Sequence, residues 1–303
     1  MTIPTKGCVI AGVTHVYVIL GERLGFKHTD RNNMEYKISL VDKIVLITGA
    51  SSGIGKELSR RFAMEKAILV IASIPSEKSV LEAWADELRH YYHARVTTLT
   101  EDLSTSEGPH NLYRQVMNIV PRIDVLVNNA GIMSFGLFHM ISLEEQERIV
   151  AVNLRAYMAL MRLFIPDMVK RKAGYIFNVS SVSAFVPTPR HAVYGATKAF
   201  VQSLTEAVAE ELKDTGVTTF TLNPGYTDTP LLRGKNFPKK LRFYVFGGKS
   251  CPTTIADKGV DAFKQGKHVY IPEPHLWFLF FVLNRFSPRI VINRISEFMV
   301  KGA

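Results

Sequence analysis

Cysteine is scarce: Cys8 and Cys251 are the only two in 303 residues. That excludes a disulfide framework, and no Cys/His spacing matches a zinc site. A reducing compartment, the cytoplasm, is the simplest expectation. Long hydrophobic runs are missing too. Residues 8–20 are mostly apolar, but about 13 residues cannot cross a ~30 Å hydrocarbon core as a helix. No small-residue cleavage pattern follows them, which disfavours a signal peptide. The apolar stretch 275–291 is broken by Asn284, Arg285 and Pro288. It predicts a segment lying on a membrane surface or packed against the body, not one passing through a bilayer. Basic arms are absent as well: a net charge of +10 is spread along the chain. No nucleic-acid partner is expected, and anionic lipid or a phosphorylated cofactor suits the charge better.

What is present is a chain with 47% hydrophobic and 21% charged residues, the composition of a folded globule. From residue 43 onward, short apolar runs alternate with helical patterns. Runs at 43–48, 67–72, 94–100, 123–128, 175–180 and 217–222 read as strands. Between them, 54–66, 75–92, 142–171 and 192–213 read as helices. In the second of these, Val80, Leu81, Trp84 and Leu88 recur at helical spacing. Ser142 and Glu145 form a capping-box pattern. Such alternation predicts an α/β, doubly wound parallel sheet with helices on both faces. The expected organisation is an N-terminal leader (1–40), a catalytic body (41–272) and an apolar, basic helical tail (273–303).

The first strand runs into Gly49, Ala50, Ser51, Ser52, Gly53, Ile54 and Gly55. Glycines here let the backbone turn tightly and approach a pyrophosphate, while the next helix offers its positive end. A Walker phosphate loop is excluded, because Ala50 stands five residues before Gly55 and Glu57 follows Lys56. Further on, Tyr194 and Lys198 stand four apart on a helix and so share one face. An ammonium near a phenol favours the phenolate, which predicts a tyrosine able to move protons near neutrality. Ser181 closes the fifth strand, where ligands of open α/β sheets gather.

These motifs, with TGASSGIG at 48–55, NNAG at 128–131, Asn153, YGATK at 194–198 and PGYTDT at 224–229, resemble the short-chain dehydrogenase/reductase family in order and spacing. The resemblance covers about three quarters of the chain and implies a Rossmann-type fold. It also implies a reaction interconverting a ketone and a secondary alcohol. Asn153, Ser181, Tyr194 and Lys198 would be the catalytic set. Asn129, Ala130 and Gly131 would flank the nicotinamide, Asp102 and Leu103 the adenine. Pro224, Gly225, Thr227 and Thr229 would hold the carboxamide and pyrophosphate. Relatives commonly pair through their long helices, so a homodimer or larger oligomer is expected, with Met158, Leu160, Met161 and Phe164 supplying the surface.

The second strand ends at Ser73 with no carboxylate before Glu77. An acid there would repel a 2′-phosphate, so NADP is expected, with NAD as the alternative. Between Thr229 and Ser250 lies an expected lid. Its Leu231, Leu232, Phe237, Leu241, Phe243, Tyr244, Val245 and Phe246 alternate with Arg233, Lys235, Lys239, Lys240 and Arg242. A small apolar carbonyl or alcohol, lipid-like or acyl, suits such a lid, and a steroid or other bulky ketone suits it nearly as well. A cofactor-binding regulator without turnover and a membrane-surface scaffold remain the competing classes.

Overall fold

The structure, a computed structural model, describes residues 37–234, 237–238, 241–246 and 248–300. The apolar segment 8–20 and the lid residues Lys235, Lys239 and Lys240 lie outside the described residues.

Seven strands form one sheet in the order β3-β2-β1-β4-β5-β6-β7, every neighbouring pair parallel. Strand β1 (Ile44–Thr48) is buried along its whole length, as are β4 (Val125–Asn128) and nearly all of β2 (Ile68–Ser73). Strands covered on both faces need apolar side chains at every position, hence continuous Val/Ile/Leu runs without alternation. β3 (Val96–Thr100), β5 (Gly174–Val179) and β6 (Val217–Leu222) follow the expected runs closely. β7 (Val269–Tyr270) adds an edge strand of two residues.

Two apolar layers sandwich this sheet. On one face, α1 (Gly53–Met64), α2 (Lys78–Tyr92) and α7 (Pro252–Lys264) enclose a core that includes Phe62, Phe177, Phe220 and Phe263. Their rings meet at tilted and edge-on angles, with centroids 4.7 to 6.5 Å apart. Ile38 and Leu40 also belong to this core. On the other face lie α3 (Gly108–Ile119), α4 (Leu143–Lys170) and α5 (Ala192–Glu211). α6 (Arg242–Phe246) belongs to the lid.

Three expectations change. The helix expected from Pro75 opens instead with a 3-10 turn, Pro75–Glu77, and Val80 is exposed while Leu81, Trp84 and Leu88 are buried. Helix α4 is capped by Ser142, whose Oγ accepts the Glu145 N–H at 3.3 Å, but it contains a π-helical turn, Ala151–Arg155. The pairing surface is the third. Leu160, Met161 and Phe164 are buried in the second core, and only Met158 of the four is exposed. By length and apolarity alone α4 would suit a bilayer; here its apolar side covers the sheet.

The tail leads from Pro274–Leu276 through a π-helical Trp277–Leu283 and Asn284–Phe286 to α8 (Arg289–Val300). One side packs on the lid: Leu276, Phe280 and Met299 join Leu241, Phe243 and Val182 in a third apolar cluster. The Arg242 guanidinium lies 4.3 Å over the Phe298 ring. Trp277, Phe278, Phe286, Ile290 and Ile295 stay exposed on the other side. Truncation after Pro274 is therefore expected to strip the lid of its backing. The shortened chain should aggregate or lose cooperative unfolding in calorimetry; a folded, active truncation would contradict this packing.

Candidate active site

The chain steps outward from β1 to β2 to β3, then crosses back to place β4 on the other side of β1. At such a switch point the connections after neighbouring strands diverge in opposite directions and leave a crevice beyond their carboxyl ends. A cavity of about 330 Å³ lies here.

At the floor of the crevice, Gly49 and Gly53 hold positive φ values of 66° and 56°. The approach behind them is close: a Cβ on Gly55 would stand 2.2 Å from the Gly49 carbonyl oxygen. Helix α1 starts inside this loop. Ser52 at its N-cap makes no side-chain cap, and its first turn carries no acidic residue. Its leading amides are thus left for an anion. The Thr48 hydroxyl receives the Asn129 and Ala130 N–H groups at 3.0 and 3.1 Å, and the Asn129 amide donates to the Thr48 and Gly49 carbonyls. These bonds join the β1 and β4 loops into one rigid wall.

At the opposite wall stand Ser181, Tyr194 and Lys198. Helix α5 carries the last two on its buried face. The Lys198 ammonium donates to the Val179 carbonyl at 2.9 Å and lies 5.6 Å from the centre of the Tyr194 ring. Ser181 Oγ donates to the Pro224 carbonyl at 3.3 Å and accepts the Ser183 N–H at 3.1 Å. Burial pushes the Tyr194 phenol up to about 12, a rise that Ser181 beside it only partly offsets. Burial likewise pushes Lys198 down to about 7. The ammonium was expected to draw the phenol toward neutrality. Desolvation outweighs it, and the phenol keeps its proton.

Most of the expected site residues meet in this cavity. Gly49, Ser51, Ser52, Gly53, Ile54 and Ser73 line one end, with Asp102 and Leu103 beside them. Asn129, Ala130 and Gly131 line the middle, and Ser181, Tyr194, Lys198, Pro224, Gly225, Thr227 and Thr229 the other wall. Gly55 and Asn153 do not line it; both act from behind. Asn153, in the π-turn and fully buried, clamps the Ile132 peptide, accepting its N–H and donating to its carbonyl, each at 2.9 Å. Asp102 binds the Ser104 N–H and hydroxyl at 2.9 and 2.7 Å, and these bonds outweigh its desolvation to lower its pKa.

Of the lining residues that the sequence did not single out, two bear on what the cavity can bind. Glu77 lies in the cavity and accepts a hydrogen bond from Ser51, brought back by the turn at Pro75. His191 lines it near Tyr194, the two rings 6.2 Å apart. The Pro75 turn signal pointed to the first; no local signal marks the second.

Comparison with known proteins agrees with this geometry. The family model described as short chain dehydrogenase matches residues 43–239. An uncharacterized oxidoreductase of Staphylococcus saprophyticus is 30% identical over 236 residues, 78% of this chain and 97% of the relative. A short-chain dehydrogenase from Sphingobium yanoikuyae, solved in complex with NADPH, is 30% identical, with a TM-score of 0.72 over 80% of this chain and 93% of that one. The bulky-bulky ketone specific alcohol dehydrogenase from Comamonas testosteroni is 25% identical, with a TM-score of 0.67 over 86% and 96%. With a family match over most of its sheet and a full set of loops around the switch-point crevice, the chain belongs to the short-chain dehydrogenase family of oxidoreductases.

Proposed function

We propose that this chain reduces a bulky, apolar ketone to a secondary alcohol with NADPH, NADH being the alternative reductant. One observation carries the reading. Ser181, Tyr194 and Lys198 converge on the same cavity as the uncapped amino end of α1. The residues fit a dinucleotide: glycines leave room against the loop, the α1 amides suit a pyrophosphate, and Thr227 and Thr229 sit on the facing wall. When bound, the nicotinamide supplies the hydride.

The chain's own residues supply the rest. Tyr194 gives its proton to the carbonyl oxygen as negative charge develops there. The Ser181 hydroxyl stabilises that oxygen by a second hydrogen bond. Lys198 stabilises the phenolate left behind, and Asn153 fixes the Ile132 backbone beside it. The apolar lining supports a bulky substrate: Ile132, Met133, Leu231 and Leu232 line the cavity with Tyr226, which is backed by Phe237 and Tyr244 at 6.2 and 5.6 Å. The solved relative that acts on bulky-bulky ketones supports the same class. Incubation with NADPH and a panel of ketones tests this, alcohol appearing in step with loss of nicotinamide absorbance. Tight NADPH binding without turnover of any ketone would favour a regulatory protein.

Cofactor choice turns on Glu77. Ser73, at the end of β2, is buried and bonds the Ile74 carbonyl at 3.3 Å; Glu77, brought back by the Pro75 turn, lines this end of the cavity along with Glu101 and Asp102. A carboxylate there accepts ribose hydroxyls and repels a 2′-phosphate, so Glu77 limits the NADPH preference and keeps NADH as the alternative reductant. Glu77→Gln is expected to raise the NADPH-over-NADH affinity ratio by ~10-fold. Titration of each cofactor by its fluorescence checks this, and an unchanged ratio would remove Glu77 from cofactor selection.

A further inference from the structure

His191 is a polar group among aromatic side chains. Its ring stacks on Phe135 at 5.9 Å with planes 22° apart, and lies 6.4 Å from Tyr226 and 6.2 Å from Tyr194. The residue is 3% exposed and lines the catalytic cavity. Nδ1 is enclosed without a hydrogen-bond partner, and among the described residues neither ring nitrogen makes a hydrogen bond. Burial pushes its pKa down to about 4, so the ring is neutral near pH 7 and offers one N–H and one lone pair. A buried polar side chain left unpaired carries a desolvation penalty, and one lining a cavity can recover it by pairing with a group bound there.

The second such group lies nearby. The Tyr244 hydroxyl is also enclosed and unpartnered, and the Tyr244 ring is 5.6 Å from Tyr226, which His191 faces. His191 borders the space beside Tyr194, where the proposed reduction occurs, and Tyr244 stands behind it against Tyr226. A ketone with no second oxygen would leave His191 unpaired.

We propose that His191 is a substrate-binding residue that reads a second oxygen, a carbonyl or hydroxyl, a few bonds from the carbon being reduced. This rests on the reductase reading and narrows its substrate class to oxygenated apolar ketones, such as diketones or hydroxyketones. His191 takes no part in proton transfer: it holds the substrate's far oxygen while Tyr194 and Ser181 hold the near one.

The test compares an aryl β-diketone with the matching monoketone of equal carbon skeleton. The native chain should prefer the diketone by ~10-fold or more in kcat/KM, because a site built to hydrogen-bond an oxygen discriminates against the analogue lacking it. In His191→Phe, which keeps the stack on Phe135, the preference should vanish, mainly through KM, while monoketone turnover persists. His191→Gln should restore part of it. Native turnover of both ketones without preference overturns the inference, and needs no variant to show it. So does a folded His191→Phe that keeps the native preference. Failure of the native chain on every ketone would overturn the reductase reading, and this inference with it.

Discussion

Tyr194→Phe is expected to lower ketone turnover by ~10²–10⁴-fold while leaving NADPH affinity nearly unchanged. The substitution removes one oxygen from a side chain that is 9% exposed and packed beside His191 and Lys198. The ring remains, so the wall keeps its shape. What is lost is the proton that must reach the carbonyl oxygen as hydride reaches carbon. Burial holds the phenol at about 12, so Tyr194 is protonated throughout the neutral range and poised as an acid. That state suits reduction directly. Alcohol oxidation, which needs a base, should instead require alkaline solution. The variant's kcat against NADPH Kd checks the split. Near-normal turnover would remove Tyr194 from the mechanism.

Lys198→Met is expected to abolish most turnover and yet raise thermal stability. The Lys198 side chain is almost wholly buried, and its pKa falls to about 7 from the ordinary 10.5 by desolvation. Unfolded, the lysine keeps its proton up to about 10.5; folded, it gives the proton up near 7. Between those values unfolding takes up a proton, so stability rises with pH across that window. Below about 7 the full cost of the buried ammonium is present. Methionine removes that cost. The Val179 carbonyl does not become an orphan, because the Tyr157 hydroxyl also donates to it, at 3.3 Å. The melting temperature should therefore rise at pH 6, by ~2–4 °C for each kcal/mol regained, with a smaller rise near pH 10. Scanning calorimetry at both pH values checks the sign. A destabilised variant at pH 6 would contradict the assignment. In the native chain, ketone reduction should fall as pH climbs through 7, as Lys198 loses the charge that stabilises the phenolate.

The legible parts of the fold were those set by local, repeating chemistry. β6 matched its run residue for residue, because its β-branched and aromatic residues, Val217 to Leu222, mark a strand whatever their polarity. Ser142 declared its cap through one hydroxyl and one N–H. The glycine loop was legible because Gly49, Gly53 and Gly55 fall at the turn from the first strand into the first helix, at a spacing that a Walker loop does not share. The π-turn at Ala151–Arg155 was hidden, since one extra residue hardly disturbs an apolar pattern already broad. β7 escaped because two edge residues make no pattern at all.

The site divides similarly. The residues of the two walls were readable as motifs, and the structure gathers all but Gly55 and Asn153 around one cavity. The protonation states were not readable, because burial rather than the four-residue spacing sets them. Nor was the face that Leu160, Met161 and Phe164 serve: an apolar helix stripe says that something covers it, not whether this chain or another does. The Pro75 turn pointed toward Glu77, but its place in the site came from its contact with Ser51, and His191 became visible only through its stack on Phe135.

The central claim is hydride transfer to a carbonyl carbon in the cavity bounded by Tyr194 and Ser181. Its most direct measurement uses NADPH carrying deuterium at the transferable position of the nicotinamide, with a bulky aryl ketone and the purified full chain. Mass spectrometry and NMR of the product should find one deuterium on the carbinol carbon, formed in equal amount to the NADP released, and Tyr194→Phe should form little of it. Tight NADPH binding with no labelled alcohol from any ketone would contradict the account.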